Sequence, residues 1–445
     1  MKRIFLLTAM LSIAYITNAQ TLSYNDIGVL FAKEKIDGTA RFNAMSGAFG
    51  ALGGDLSAIE INPAGAAVFL KSEFAFSLGI NNTESNTTFY GTSLLNENDN
   101  TNINQAGGVF VFKTNYDRSG WNNFAFAVNY TLLNDFSDAW LARGNSGYAP
   151  LTDFYDPDVN YPNSEGHEME NYLDGQNRKY SFTIASQYED NLYVGFSLNT
   201  YDIEHLQRVL VNEYNADDVG NTFDVSLLQE LYTFGDGVSF NFGLISKPSE
   251  NVRLGVAYQS PIWYSLSEDF IDDGIEVLEN NDLVVDENRQ VSAFDYKLRT
   301  PSKITGSFAY IFERQGLISI DYTFKNYKNI ELKNGDFIYE NQQFNSELET
   351  VGELRIGTEW RFDNLSIRGG YHFEKNPYKY GLDSESIEGF SLGAGFKFRG
   401  GKFDLAYQKS DYSAPYNFYP TYDVIENTNL NIDTSKVTAT LVLNI

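Results

Sequence analysis

Residues 389–399 place Phe390, Leu392, Ala394, Phe396 and Phe398 on one face and Gly389, Ser391, Gly393, Gly395, Lys397 and Arg399 on the other. A period of two predicts a β-strand with one apolar and one polar side. The pattern returns in Leu354, Ile356, Trp360 and Phe362, set against Glu353, Arg355, Glu359 and Arg361. It returns again around Phe124–Tyr130, Leu192–Leu198, Val238–Leu244 and Ile318–Phe324. Helical periodicity is nearly absent after residue 70.

Alternation alone fits a soluble sandwich as well as a membrane barrel. The connections separate the two. Tight polar turns fall at Asn115–Gly120, Glu189–Asn191, Lys247–Asn251, Glu313–Gly316, Asp363–Asn364 and Arg399–Lys402. Between them lie longer polar stretches at about 95–104, 133–178, 205–237, 269–294, 333–346, 376–387 and 414–434. This alternation of short and long connections is the periplasmic and extracellular asymmetry of outer-membrane barrels. The fold class expected is therefore all-β, a transmembrane antiparallel β-barrel. Taking Glu73–Leu94 as one long, irregular strand brings the count to about fourteen, the even number that a single-chain bacterial barrel requires.

Composition narrows the function classes. The 445 residues include no cysteine, which excludes a disulfide scaffold, thiolate metal sites and a cysteine nucleophile. A net charge of -27 argues against a nucleic-acid partner, which needs clustered Lys and Arg. The 34 Phe and 30 Tyr exclude an acidic disordered chain and suit membrane-facing rows and interfacial girdles. Lys2 and Arg3, the apolar run Ile4–Ile16 and the small residue Ala19 read as a signal peptide over residues 1–19, directing export to the outer membrane of a Gram-negative bacterium.

Residues 20–71 differ from the rest, and residues 72–445 are read as the barrel. The stretch from Ala40 to Gly65 is small, apolar and turn-rich, with Asp55 placed to cap a helix over Leu56–Ile61. Asn62 followed by Pro63 is an N-cap with proline at the first helical position. An insert too small to fold alone fits inside a barrel lumen that needs filling.

This segment, Arg41 to Phe69 with Asn62-Pro63-Ala64 and the glycine-rich run before it, resembles the FadL/TodX family of outer-membrane transport proteins. The resemblance implies a fourteen-stranded barrel with an N-terminal hatch, taking up long-chain fatty acids or other hydrophobic small molecules by diffusion. Such a chain is no enzyme, needs no cofactor or metal, and has outer-membrane lipid and lipopolysaccharide as neighbours. It is expected as a monomer. The chain ends in Ile445 where such barrels usually end in an aromatic residue, although Val437, Ala439, Leu441, Leu443 and Ile445 still form an outward row. The same motif region resembles PorV-type barrels of type IX secretion, which bind proteins, and a haem or other small-molecule receptor is a further alternative.

Phe42, Met45, Phe49 and Leu52 are the hatch residues expected to line an apolar ligand path, with packing against the wall as the equal alternative. Leu132, Leu133, Phe136, Trp140 and Leu141 read as a capture groove or as part of the aromatic belt. Glu353, Arg355, Glu359, Arg361, Arg368, His372 and Glu374 share one side of two strands. They are expected to form a lumenal salt network under the hatch, with an arginine receiving a carboxylate as the functional alternative. Only three histidines are present, His167, His205 and His372, which leaves little basis for catalysis. Asp153–Asp158 and Asp217-Asp218 lack the ligand spacing of a defined calcium site.

Overall fold

The computed structural model describes residues 21–113, 120–286, 289–420, 422 and 424–445. The signal segment and most of the expected turn at Asn115–Gly120 lie outside the described residues. Fourteen strands close into one antiparallel barrel. In chain order they are β1 (Glu73–Phe89), β2 (Thr92–Lys113), β3 (Trp121–Asp135), β4 (Gln176–Tyr188) and β5 (Leu192–Ala216). Next come β6 (Thr222–Ser246), β7 (Val252–Gln259), β8 (Lys303–Phe312), β9 (Gly316–Asn326) and β10 (Thr350–Phe362). Then follow β11 (Leu365–Glu374), β12 (Ile387–Phe398), β13 (Gly401–Tyr416) and β14 (Thr428–Asn444). The ladder between β14 and β1, from Glu73↔Asn444 to Thr88↔Asn429, closes the ring. Closure removes free strand edges, the condition for strands to stand in lipid.

The outward positions are those that the alternation marks: Phe390, Leu392 and Phe396, or Ile318, Ile320 and Tyr322, are exposed on the outer wall. In water so continuous an apolar surface would drive aggregation; around a barrel it is the lipid-facing band. Aromatic pairs gather at its periplasmic rim, with Phe312 stacked on Trp360 at 5.4 Å and Trp121 against Tyr188 at 5.2 Å. The tight turns tolerate left-handed backbone at Glu189 (φ 48°), Glu313 (φ 49°) and Asp363 (φ 52°), while Gly400 (φ 94°) supplies the residue best suited to it.

Two expectations about strands need correction. Glu73–Leu94 is not one strand: the chain reverses at Tyr90-Gly91, with φ of 42° and 84°, and Thr92 starts β2. The count of fourteen survives because the stretch 95–104, expected as a loop, is the outer half of β2. Its turn-favouring composition misleads because both faces are polar. Asn96, Asn98, Asn100 and Asn102 point toward the lumen side, and Glu97, Asp99 and Thr101 point out above the lipid. Most of the other long connections are likewise built. β5 and β6 run on to Ala216 and Thr222, strands Asp138–Gly144 and Asn163–Asp174 extend the wall, and helices fill Pro150–Tyr155 and Ile338–Glu347.

At one height two neighbouring strands break together. β7 resumes after Ser260-Pro261-Ile262 as Trp263–Glu279, and the strand Gln290–Arg299 passes through Thr300-Pro301-Ser302 into β8. Proline interrupts both ladders. An odd number of residues on each side shifts the inward parity, from Ala257 to Tyr264 and Leu266, and from Leu298 to Thr305. The outer wall thus turns Tyr264, Leu266, Tyr296 and Leu298 into the lumen.

Candidate functional site: the hatch, its cavity and the barrel wall

The lumen is filled from two ends by one segment. Near the outer end lies helix α1 (Tyr24–Ala32), whose N-cap Ser23 accepts from the Asp26 amide. Ile27, Val29, Phe31 and Ala32 are buried among Leu133, Phe136, Tyr264, Leu298 and Phe344. Gly28 is where α1 meets the loop helix Ile338–Glu347: an added Cβ would stand 2.8 Å from the Phe344 ring. Polar ties fix the helix to the wall. The Tyr24 hydroxyl donates to Glu268 at 3.0 Å, Tyr378 donates to Asp26 at 2.6 Å, and the Leu22 amide donates to Gln207 at 2.8 Å. Burial, with Glu268 beside it, raises the Tyr24 hydroxyl and keeps it a donor.

Toward the periplasmic end sits the hatch core, with short helices α2 (Ala40–Asn43) and α3 (Ala58–Ile61) and a 3-10 turn over Pro63–Val68. Asp55 organises it, accepting from the Thr39 hydroxyl at 2.7 Å and the Ser57 amide at 3.0 Å. The barrel presents small polar groups to it: Thr440 accepts from the Ala40 amide at 2.6 Å, Thr438 from Asn43 at 3.0 Å, and Asp321 from the Gly50 amide at 2.8 Å.

Asn62 carries more than its cap. Its Oδ1 accepts from the Ala64 amide at 3.1 Å, and its Nδ2 donates to the carbonyls of Gly50 at 2.7 Å and Leu244 at 3.0 Å. Gly243 and Gly195 let it approach: a Cβ on Gly243 would lie 1.9 Å from Asn62 Oδ1, and one on Gly195 would lie 2.3 Å from the Ala64 nitrogen. Asn62→Ala is therefore expected to cost about 2 kcal/mol, from a lost cap, the buried Gly50 carbonyl left without Asn62, and a lost tie to the wall at Leu244. Urea unfolding in detergent reads it; a variant as stable as the parent refutes the triple role.

Charge holds the hatch laterally. Glu359 receives Arg41 of α2 and Arg368 of the wall, each at 2.7 Å, and Arg361 at 2.6 Å; Arg368 also reaches Asp404 at 2.6 Å. Higher up, Lys325 pairs with Glu374 at 3.0 Å and Glu353 at 3.2 Å, and Arg355 pairs with Glu353. The expected salt network is thus formed, with Arg41 as a hatch member that its spacing did not announce, but without His372, which makes no ion pair among the described residues. The arginines weighed as carboxylate receptors all have carboxylate partners already.

Between α1 and the hatch core the linker of residues 33–39 crosses a cavity of about 50 Å³. Glu34, Lys35, Asp37, Glu60, Lys179 and Lys303 line it, with Ile36, Phe42, Ile61 and Leu133 as apolar neighbours. Burial works to raise the Glu34 carboxyl, and Lys303 with Lys179 overcomes it and holds it at about 2.

Of the hatch residues singled out in the sequence, Phe42 faces this cavity, while Met45, Phe49 and Leu52 pack against one another, Ala309 and Leu317. The loop cluster reads differently from both of its expectations. Leu133 and Phe136 point inward onto α1, and Trp140 packs on Tyr416 and Phe418, so these residues are internal packing. His205 is wedged edge-on between Phe31 and Phe136, and His167 lies against Phe89.

The wall between β2 and β3 is incomplete. Its backbone ladder runs from Lys113↔Asn123 to Gln105↔Thr131 and stops there. Above that level side-chain amides stitch β2 to residues 138–141. Asn96 donates to the Leu141 carbonyl at 3.3 Å and accepts from its amide at 3.1 Å, and Asn98 donates to the Ala139 carbonyl at 2.8 Å. Just below, the outer wall is hollowed into an apolar groove of about 510 Å³, where Ala106 and Gly108 stand among Phe74, Phe76, Phe110, Val128 and Phe182.

These features define a class: a closed fourteen-stranded outer-membrane-type barrel whose lumen is stoppered by its own N-terminal segment. Solved structures with this fold include a FadL homologue of Pseudomonas aeruginosa, at TM-score 0.60 and 14% identity over 92% of this chain and 99% of that one. The P. putida toluene transporter TodX superposes at 0.53 with 11% identity, and the Ralstonia pickettii toluene transporter TbuX at 0.53 with 14%, each over 92% of this chain and 99% of the other. The chain therefore has the FadL/TodX fold. No family model matches it, and no curated protein does.

Proposed function

We propose that this protein is an outer-membrane channel for passive uptake of hydrophobic small molecules such as long-chain fatty acids, with the hatch as its gate. It is exported by the signal peptide at residues 1–19 and works as a monomer, as the self-closed ladder favours. The observation that carries the reading is the seam between β2 and β3 lying directly above an apolar groove in the outer wall. Backbone ladders hold a barrel wall shut at every other residue pair, whereas a seam held by Asn96 and Asn98 opens when a few side-chain bonds are exchanged. A molecule leaving there enters hydrocarbon without meeting water, so its passage needs no energy source. Phe42, at the cavity, is the hatch residue assigned to the ligand path.

Ala106→Trp tests this, because the position faces lipid and a large apolar side chain there fills the groove without touching the lumen. Uptake of oleate into proteoliposomes is expected to fall severalfold, with the barrel still heat-modifiable on gels. Unchanged uptake would place the exit elsewhere.

A further inference from the structure

Above the lipid the wall is left open along one strand. On the outward side of Trp263–Glu279, Trp263 gives way to Ser265, Ser267 and Asp269, and the strand Gln290–Arg299 pairs with it from Trp263↔Arg299 to Asp272↔Gln290 without a bulge. The other edge of Gln290–Arg299 is paired only at its foot, where Lys297, Leu298 and Arg299 face Lys333, Leu332 and Glu331. That short partner stops because Asn334, with φ of 68°, turns the chain away toward the loop helix Ile338–Glu347. Its own far edge is shielded: Asn341 accepts from the Leu332 amide and donates to the Leu332 carbonyl, each at 2.9 Å. Among the described residues nothing covers 290–295, every one of which is exposed. Every second residue of such an edge turns its amide and carbonyl outward. Soluble edges are blunted by lysine, proline or a bulge. This one carries Val291, Ala293 and Phe294, with Asp295 as its charge.

We propose that residues 290–295 take up, by strand addition, an extended basic segment of another protein outside the cell. Strand addition draws affinity from the main chain and specificity from alternate side chains. Apolar contacts are in place: Val291 is 60% exposed, and Phe337, packed on Tyr296 at 5.8 Å, brings the exposed Ile338 and Tyr339 that follow it to the same edge. Charge chooses the sign of the partner. Asp269, Asp272, Asp295 and Asp336 lie along or beside the edge and make no ion pair among the described residues, against Lys297 at the foot as the unpaired cation. Arg289 is engaged by Asp273 at 3.2 Å, and Lys333 and Arg299 by Glu331 at 3.0 and 3.5 Å. A lysine or arginine on the added strand meets Asp295 across the new ladder and has Asp269 and Asp272 one strand further in, close enough to be felt at physiological salt. A second copy fits less well. Standing upright in the same membrane it presents the same strand running the same way, whereas both ladders of Gln290–Arg299 are antiparallel.

The chain has no cysteine, so a single one placed on the edge reports its neighbour. Full-length Ala293→Cys in detergent is offered a peptide of alternating lysine and valine that carries one central cysteine as a mixed disulfide. Val219→Cys, 85% exposed beside Asp217 and Asp218 between β5 and β6, gives the rate at an acidic site without an open edge. Each rate is normalised to that with a small neutral disulfide. Exchange with the peptide is expected to run severalfold faster at Ala293→Cys, and N-methylation of alternate peptide amides should abolish the difference. Replacing the peptide lysines with glutamate should do the same. Equal rates at the two sites, or a preference that survives N-methylation, overturns strand addition; a preference that survives the change to glutamate overturns the choice of a basic partner. Ala293→Cys that joins to its own copy in preference to the peptide makes a second copy the occupant and overturns the proposal.

Discussion

Removing residues 21–66 is expected to open the barrel without unfolding it. Every strand of the ring has its two neighbours within the ring, and none of the fourteen ladders uses a hatch residue. The charges left behind are not stranded in a dry interior. Lys179, Lys303 and Lys436 lose Glu60, Glu34 and Asp37, but the space vacated is filled by water, which solvates an ammonium as well as the lost partner did. Glu359 keeps Arg361 and Arg368. A barrel of this strand number encloses an aqueous lumen once nothing fills it. In planar bilayers the truncated protein should therefore give steady ohmic steps, where the full chain gives far smaller currents or none. Heat-modifiability on gels should persist. Conductance equal to that of the full chain would end the claim that this segment is the stopper; a truncated chain that no longer forms a barrel would show the hatch to be a folding core instead.

What could be read in the sequence follows from where the physics is local. Phe390, Leu392, Phe396 and Phe398 announce their strand because lipid on one side and lumen on the other impose opposite chemistry at each step. Above the bilayer both faces are wet, so the contrast disappears. That is why Leu95–Asn104, with asparagine at every lumen-side position from Asn96 to Asn104, reads as a loop although it belongs to the outer half of β2. The same loss of contrast hides the loop helix Ile338–Glu347, which buries only Phe344 fully. The hatch motif is legible where it is local, as in the Asn62–Ala64 cap, and silent where it is not: Arg41 and Glu359 are 318 positions apart, so no spacing joins them.

Glu359→Gln is expected to release the hatch from its seat, by converting an attraction into a repulsion. One carboxylate, 1% exposed in the ion pairs it makes, holds three guanidiniums from Arg41, Arg361 and Arg368. Neutralised, it leaves them crowded, with Asp404, already engaged by Arg368, and Asp55, already bonded to Thr39, as the nearby anions. Arg361 has room to turn away, being half-exposed, but Arg368 is buried and the Arg41 side chain is only 12% exposed. Breaking a buried ion pair by removing one member costs about 3–5 kcal/mol, because the surviving charge is left uncompensated. The wall is locked in two ladders at Arg368, so the element that yields is α2 with Arg41. Trypsin should then cleave after Arg41 in the variant and not in the parent, and the barrel itself should survive intact. Adding Arg41→Met to Glu359→Gln removes one of the crowded charges. The double variant should regain most of its protease resistance, a coupling of the sign expected for residues in direct contact. Equal resistance in Glu359→Gln and the parent, or a double variant more sensitive than the single, would mean that the polar ties to Thr440, Thr438 and Asp321 hold the hatch by themselves.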